Sequence, residues 1–328
     1  MATRFGSGEL RYELVDGWER LPAGWAHADV AGVCTDADDN VYLYARGDHP
    51  VIVYDRDGAF LGSWGEGRFG YRTHGMSMGR DGFMYLVEDE GCTVGRYALD
   101  GKLLQSFGPQ GSPTDTGYTP AHRVVERATG PYNRPTNAAL APSGEIYVSD
   151  GYGNARVHRF SSSGELLGSW GEPGGAPSQF RTPHSVWAHD DGRVFVVDRQ
   201  NERIQIFAAD GDYLTEWTDV QRPQDLFIDA AGRVYVAELS WSRGDLSYKQ
   251  GTIGEYQPGR LSVFDAEGNL LLRWSRSDLT RNDAILAPHG LWVDGEGSVY
   301  VAHATNTVAV AQGLVGPDAL TFQKFARV

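Results

Sequence analysis

The stretch "SGEIYVSD" (residues 143–150) decides the fold. A small residue and a glycine open a turn. Behind them Ile146 and Val148 face one way, Tyr147 and Ser149 the other, the period-two pattern of a half-buried strand. The string recurs as "DGFMYLVE" (81–88), "DGRVFVVD" (191–198), "AGRVYVAE" (231–238) and "EGSVYVAH" (296–303), with an earlier copy in "DDNVYLYAR" (38–46). Paired runs separated by a turn signal follow, such as "VIVYDRDGAFLGSWG" (51–65), "VHRFSSSGELLGSWG" (157–171), "IQIFAADGDYLTEW" (204–217) and "LSVFDAEGNLLLRW" (261–274). Read as two-residue turns, these are β-hairpins.

One unit is thus about four antiparallel strands over ~40–50 residues, the size of a propeller blade. Six units predict an all-β chain: a six-bladed β-propeller whose four-stranded blades surround a central channel. The units run through residues 1–328 as a single domain. The leftover N-terminal run "LRYELVDGW" (10–18) is expected to supply the outer strand of the last blade, with "ALTFQKFARV" (319–328) as its competitor. Two segments break the period, at about 108–134 and 239–259. Loops this long in a compact repeat often carry function, and surface decoration is the competing reading.

The remaining composition bounds partners. A net charge of −14 supplies no stripe of cations for nucleic acid or an anionic membrane. Cys34 and Cys92 are too few for a disulfide scaffold or a cysteine zinc site, and read as reduced, small apolar strand residues. The start "MATRFGSGEL" has no apolar run, and no ~18-residue apolar stretch occurs anywhere, so a cytoplasmic chain is the expectation. Oligomeric state is left open.

Counting eight residues back from the turn residues Asn40, Gly82, Gly144, Gly192, Gly232 and Gly297 gives Gly32, His74, Thr136, His184, Gln224 and His289. Histidine falls in every second unit, in the contexts "RTHGMSM", "TPHSVWA" and "APHGLWV". One such histidine is ordinarily a satisfied structural residue. Three in register on alternate blades would converge at one height, the ligand set of a catalytic zinc with one position open. Counting six forward reaches Arg46, Glu88, Asp150, Asp198, Glu238 and His303, with Tyr152 and Arg199 just beyond two of them. Asp150 and Asp198 read most simply as turn formers. Two arginines can grip a carboxylate, and a tyrosine can move a proton where a nearby cation acidifies it.

The strings "RPTNAALAPSGEIYVSDGYGNARVHRF", "TPHSVWAHDDGRVFVVDRQNERIQIF" and "YARGDH" resemble peptidyl-α-hydroxyglycine α-amidating lyase and its bacterial relatives, on an NHL-type repeat, across all six blades. That resemblance implies zinc on His74, His184 and His289, a catalytic Tyr152, and active-site Arg46 and Arg199 holding the substrate's carboxylate. The family also has an aspartate after the third zinc histidine that ligates a channel calcium. Here that residue is Gly290, so a calcium would have to rely on backbone carbonyls. Ala287 stands where the lyase has methionine, and the secreted lyase's disulfide cysteines are missing.

The implied reaction is carbon–nitrogen cleavage of an N-acyl α-hydroxyglycine-type carbinolamine to an amide and glyoxylate. The implied substrate is a small or peptide-like molecule bearing a carboxylate. Two alternatives stay open at this point. One is a metal-dependent lactone or ester hydrolase on the same propeller. The other is a non-catalytic NHL-repeat binding scaffold.

Overall fold

The computed structural model describes residues 4–328. The chain is an all-β six-bladed β-propeller, built mostly of four-stranded antiparallel blades. Its residues group into two compact units, one holding Gly67–Pro223 and Ser247–Gly251, the other the remainder.

The first unit carries blades 2, 3 and 4. Blade 2 runs Thr73–Met78, Met84–Glu88, Thr93–Tyr97 and Leu103–Ser106; blade 3 runs Pro135–Leu140, Ile146–Asp150, Arg156–Phe160 and Leu166–Trp170; blade 4 runs Pro183–Ala188, Val194–Asp198, Arg203–Phe207 and Tyr213–Trp217. Facing sheets bury their apolar residues against each other. Tyr85, Val87 and Val94 of blade 2 cluster with Ala138, Val148 and Phe160 of blade 3. Tyr147 and Val157 of blade 3 cluster with Val186, Val196 and Phe207 of blade 4.

The second unit carries blade 1, most of blade 5, and blade 6. Blade 1 runs Asp29–Thr35, Val41–Arg46, Val51–Tyr54 and Phe60–Trp64; blade 5 runs Pro223–Ile228, Val234–Glu238, Arg260–Phe264 and Leu270–Ser275. Blade 6 joins both ends of the chain. Pro288–Val293 and Val299–His303 are followed by Phe322–Arg327, then Leu10–Leu14, then Arg4–Ser7 as a fifth strand. The N-terminal run therefore takes the fourth place, as expected from its sequence. The C-terminal run does not compete for it, because it fills the third place and pairs with the N-terminal strand, Tyr12 opposite Arg327.

The hairpin turns are longer than two residues. In blade 1 the amide of Gly58 donates to Asp55 O at 3.0 Å, and Asp55 Oδ1 accepts from the amides of Asp57 and Ala59. Gly58 then sits left-handed, φ 83°. This is a tight turn followed by a left-handed residue, and the aspartate stabilises it by capping two amides.

The same left-handed residue precedes every second strand: Gly82, Gly144, Gly192, Gly232 and Gly297, but Asp39 (φ 59°) in blade 1. Asn40 is therefore one residue out of phase. The true counterpart of the histidines in blade 1 is Ala31, left unpaired between Val30–Ala45 and Gly32–Tyr44. By the same shift, Arg46 lies one position past the strand-end residues of the other blades.

Those strand-end residues are structural. Four are buried and bonded to a polar side chain on the third strand: Asp150 with His158 (3.1 Å), Asp198 with Gln205 (3.2 Å), Glu238 with Ser262, and His303 with Gln323 (2.9 Å). Glu88 in blade 2 is only partly buried and accepts from Thr93 at 3.1 Å. Asp150 and Asp198 also accept the amides of Asn133 and Arg181, each 17 residues earlier, so they tie separate segments together and are not the local turn formers their sequence suggested.

His303 Nδ1 accepts the Ala287 amide, so Nε2 carries the proton that Gln323 receives. Burial holds this imidazole neutral and pushes its pKa down to about 4. Below its unfolded value near 6.5 the unfolded chain takes up a proton that the folded chain refuses. Stability thus falls as pH drops from about 6.5 toward 4. Between pH 7 and pH 5 this one group is expected to cost about 2 kcal/mol, and His303→Gln to remove that part of the slope. Urea midpoints of both proteins at the two pH values check it; parallel slopes would refute the assignment.

Candidate metal centre and its surroundings

The three aligned histidines occupy β-bulges. His184 is skipped between the pairs Pro183–Asp198 and Ser185–Val197, and His289 between Pro288–His303 and Gly290–Ala302. His74 lies in the irregular gap between Thr73–Glu88 and Met76–Leu86. A bulge adds a residue that the partner strand does not match, and so re-aims its side chain. Thr136 sits at the same bulge in blade 3 and uses it structurally, donating to Pro183 O at 2.8 Å.

His74, His184 and His289 are 1, 2 and 8% exposed, and their candidate ligand atoms all lie within 4.8 Å of one another. The backbone fixes two tautomers. His74 Nδ1 lies 2.6 Å from Thr136 O and His289 Nδ1 2.7 Å from Ala31 O. A carbonyl only accepts, so both Nδ1 atoms carry the proton and both Nε2 atoms present a lone pair. An Nδ1–H held by a carbonyl is the usual support of a metal-ligating imidazole.

Tyr152 supplies the next observation. Its hydroxyl oxygen is 3.0 Å from His74 Nε2 and 3.0 Å from His184 Nε2. One phenol has one proton and satisfies one of these nitrogens at a time. Converging imidazole lone pairs with no carboxylate among them suit a borderline cation such as zinc better than calcium or magnesium. The residues therefore fit a metal of that kind. They do not rebuild the family's calcium ligand: a Cβ on Gly290 would meet Ala31 O and Gly32 Cα at 2.9 Å, so an aspartate side chain has no room to start there.

The cations around Tyr152 differ from those the sequence singled out. Arg199 is there, with Nη1 3.4 Å from the hydroxyl and its guanidinium carbon 5.2 Å from the ring centre. Arg134 is there too, 5.6 Å from the same ring centre; it opens the string "RPTNAAL" that carries the resemblance, but neither count from the turn residues reaches it. Its Nη2 and that of Arg72 both donate to the buried Asp89, at 2.9 and 2.6 Å. Burial works against both charges, and Asp89 outweighs it, so each guanidinium stays above its ordinary pKa.

Arg46 is placed differently. It is 1% exposed and ion-paired to the fully buried Asp29 at 3.1 Å, with Thr307 accepting from the same nitrogen at 3.0 Å. Breaking such a pair from one side typically costs about 3–5 kcal/mol. Asp29 also caps the amides of Asn306 and Thr307, at the start of a short helical segment, Asn306–Val310, that the repeat pattern does not mark.

The first insertion packs on the Tyr152 loop. Thr116 donates to Gly153 O at 2.5 Å, the Thr129 amide to Asn154 at 3.3 Å, and Tyr118 accepts from Arg134 at 3.2 Å. In the second, Ser247 and Gln250 bond to Glu202, and Tyr248 lies under the Arg181 guanidinium at 4.2 Å. Both cysteines are free and buried, Cys34 in a strand and Cys92 in a left-handed turn instead.

No family model matches the chain. Mouse NHL repeat-containing protein 3 is 30% identical over 329 residues, covering 92% of this chain and 86% of that protein. The chain belongs to the NHL repeat-containing protein family. Rat peptidylglycine alpha-amidating monooxygenase is a more distant relative, 26% identical over 342 residues, which span 89% of this chain but 32% of that protein. Among solved structures, a gluconolactonase from Xanthomonas campestris overlays at TM-score 0.62 with 14% identity, over 99% of this chain and 95% of its own. At that identity the likeness concerns the fold alone. The chain is thus an NHL-repeat propeller distantly related to the amidating lyases, with a buried histidine triad able to bind a metal.

Proposed function

We propose that the chain is a metal-dependent carbon–nitrogen lyase that cleaves an N-acyl α-hydroxyglycine-type carbinolamine to an amide and glyoxylate. The observation that carries the reading is the Tyr152 hydroxyl, 3.0 Å from two histidine nitrogens that face a common centre. Kinship to the amidating lyases supports it.

His74, His184 and His289 would hold the metal, taken to be zinc. Zinc, when bound, supplies a Lewis-acidic charge that acidifies the substrate's hydroxyl. Tyr152, as the phenolate, would receive the hydroxyl proton on Oη and return it to the departing nitrogen. The carbon–nitrogen electron pair leaves with that nitrogen, and the hydroxyl carbon becomes the aldehyde carbon of glyoxylate. Arg199 lies beside Tyr152 and would hold the substrate's carboxylate. Burial of the histidines would limit the access of bulk water to a bound metal.

The direct test is glyoxylate release from N-acetyl-α-hydroxyglycine by protein whose zinc content has been measured. Release at a rate that follows zinc occupancy is expected. A zinc-replete protein that leaves this substrate and a peptidyl α-hydroxyglycine intact would overturn the reaction.

A further inference from the structure

A substrate carboxylate can take a second guanidinium beside Arg199, and Arg46 is already committed to Asp29 and Thr307. Arg199 has no ion pair among the described residues, and its buried Nε–H has no acceptor. Arg134 likewise keeps a buried Nε–H without an acceptor. Its terminal nitrogens are occupied, Nη1 by Tyr118 and Nη2 by Asp89 and by Glu90 at 3.1 Å. Unpartnered buried Nε–H groups also occur at Arg96 and Arg156, so it is placement that sets these two apart: both guanidiniums flank one phenol ring.

The charges agree. Arg134 and Arg199 flank Tyr152, and Arg72 pairs with Asp89, the buried carboxylate it shares with Arg134; Glu90, at 62% side-chain exposure, is largely screened by water. An anion entering beside Tyr152 meets an excess of positive charge. The left-handed backbone of Arg134 (φ 60°) recurs at Thr182 and Arg222, so the conformation belongs to the repeat. What is particular to Arg134 is its side chain, which Asp89 and the insertion's Tyr118 hold over the ring.

We propose that Arg134 is the second guanidinium that reads the substrate's carboxylate beside Arg199, and that Arg46 is a structural residue. This rests on the reading of the site as one that takes a carboxylate-bearing carbinolamine. It also gives the first insertion a role, since Tyr118 fixes the position of Arg134.

The test is calorimetric binding of two stable probes, N-acetylglycine and its neutral amide N-acetylglycinamide, to the zinc-loaded protein. The wild type is expected to prefer the acid. In Arg134→Gln that preference falls about 10–100-fold, the worth of a charge-assisted hydrogen bond, and Arg134→Lys keeps a measurable part of it. Asp89 remains paired with Arg72 in both variants, and melting temperatures confirm that they fold. An unchanged preference in Arg134→Gln, a wild type that binds the probes equally or not at all, or a folded Arg46→Gln that loses the preference overturns the assignment. Glyoxylate release is scored separately. Release with a preference untouched by Arg134→Gln removes this inference alone, whereas a preference set by Arg134 without release removes the reaction alone.

Discussion

A His184→Ala protein is expected to lose its metal and its activity together. His184 offers one of three clustered ligand atoms, and the set contains no carboxylate to take its place. Even outer partners of metal ligands are worth about 10–100-fold in affinity. Loss of a ligand itself is therefore expected to weaken zinc binding by more than ~100-fold and bring glyoxylate release to background. Elemental analysis after dialysis and the glyoxylate assay read the two effects. The substitution also leaves a buried gap, since His184 is 2% exposed, so the melting temperature must be followed. His289→Ala repeats the experiment on another blade. Near-stoichiometric zinc with full turnover in either variant would remove the metal from the mechanism.

The second large effect is expected at Tyr152. Tyr152→Phe keeps the ring between the Arg134 and Arg199 guanidiniums and removes only the hydroxyl that lies against His74 and His184. A proton-transfer residue contributes about 10²–10⁴-fold, so kcat is expected to fall by that range while zinc content holds. Loss of zinc together with rate would instead make the phenol part of the metal's support. A variant with wild-type kcat would exclude Tyr152 from proton transfer.

Much of the fold is legible from "SGEIYVSD" and its copies. Alternation marks each second strand, but the strand is buried on both faces and not half-buried: Ile146 and Val148 pack with residues of blade 2, Tyr147 with residues of blade 4. The turns are less legible. A glycine after aspartate signals reversal without saying how many residues the loop spans, because a left-handed residue serves two-residue and longer turns alike. Blade 1 shows the consequence: with Asp39 in the left-handed place, counting from Asn40 put Gly32 and Arg46 out of phase by one.

The sequence by itself determined the repeat, the number of blades and the three histidines, because each rests on local periodicity that any chain with these residues must obey. Only the tertiary structure decided what each candidate side chain is free to do. Asp29 captures Arg46 from an adjacent strand, and Arg134 reaches Tyr152 from a loop between blades 2 and 3. His303, which shares the strand-end position of Asp150 and Asp198, closes its hydrogen bonds inside blade 6. Partnership among buried charges depends on distance in space, on burial and on which groups are already satisfied. None of these is written in the spacing of residues along the chain.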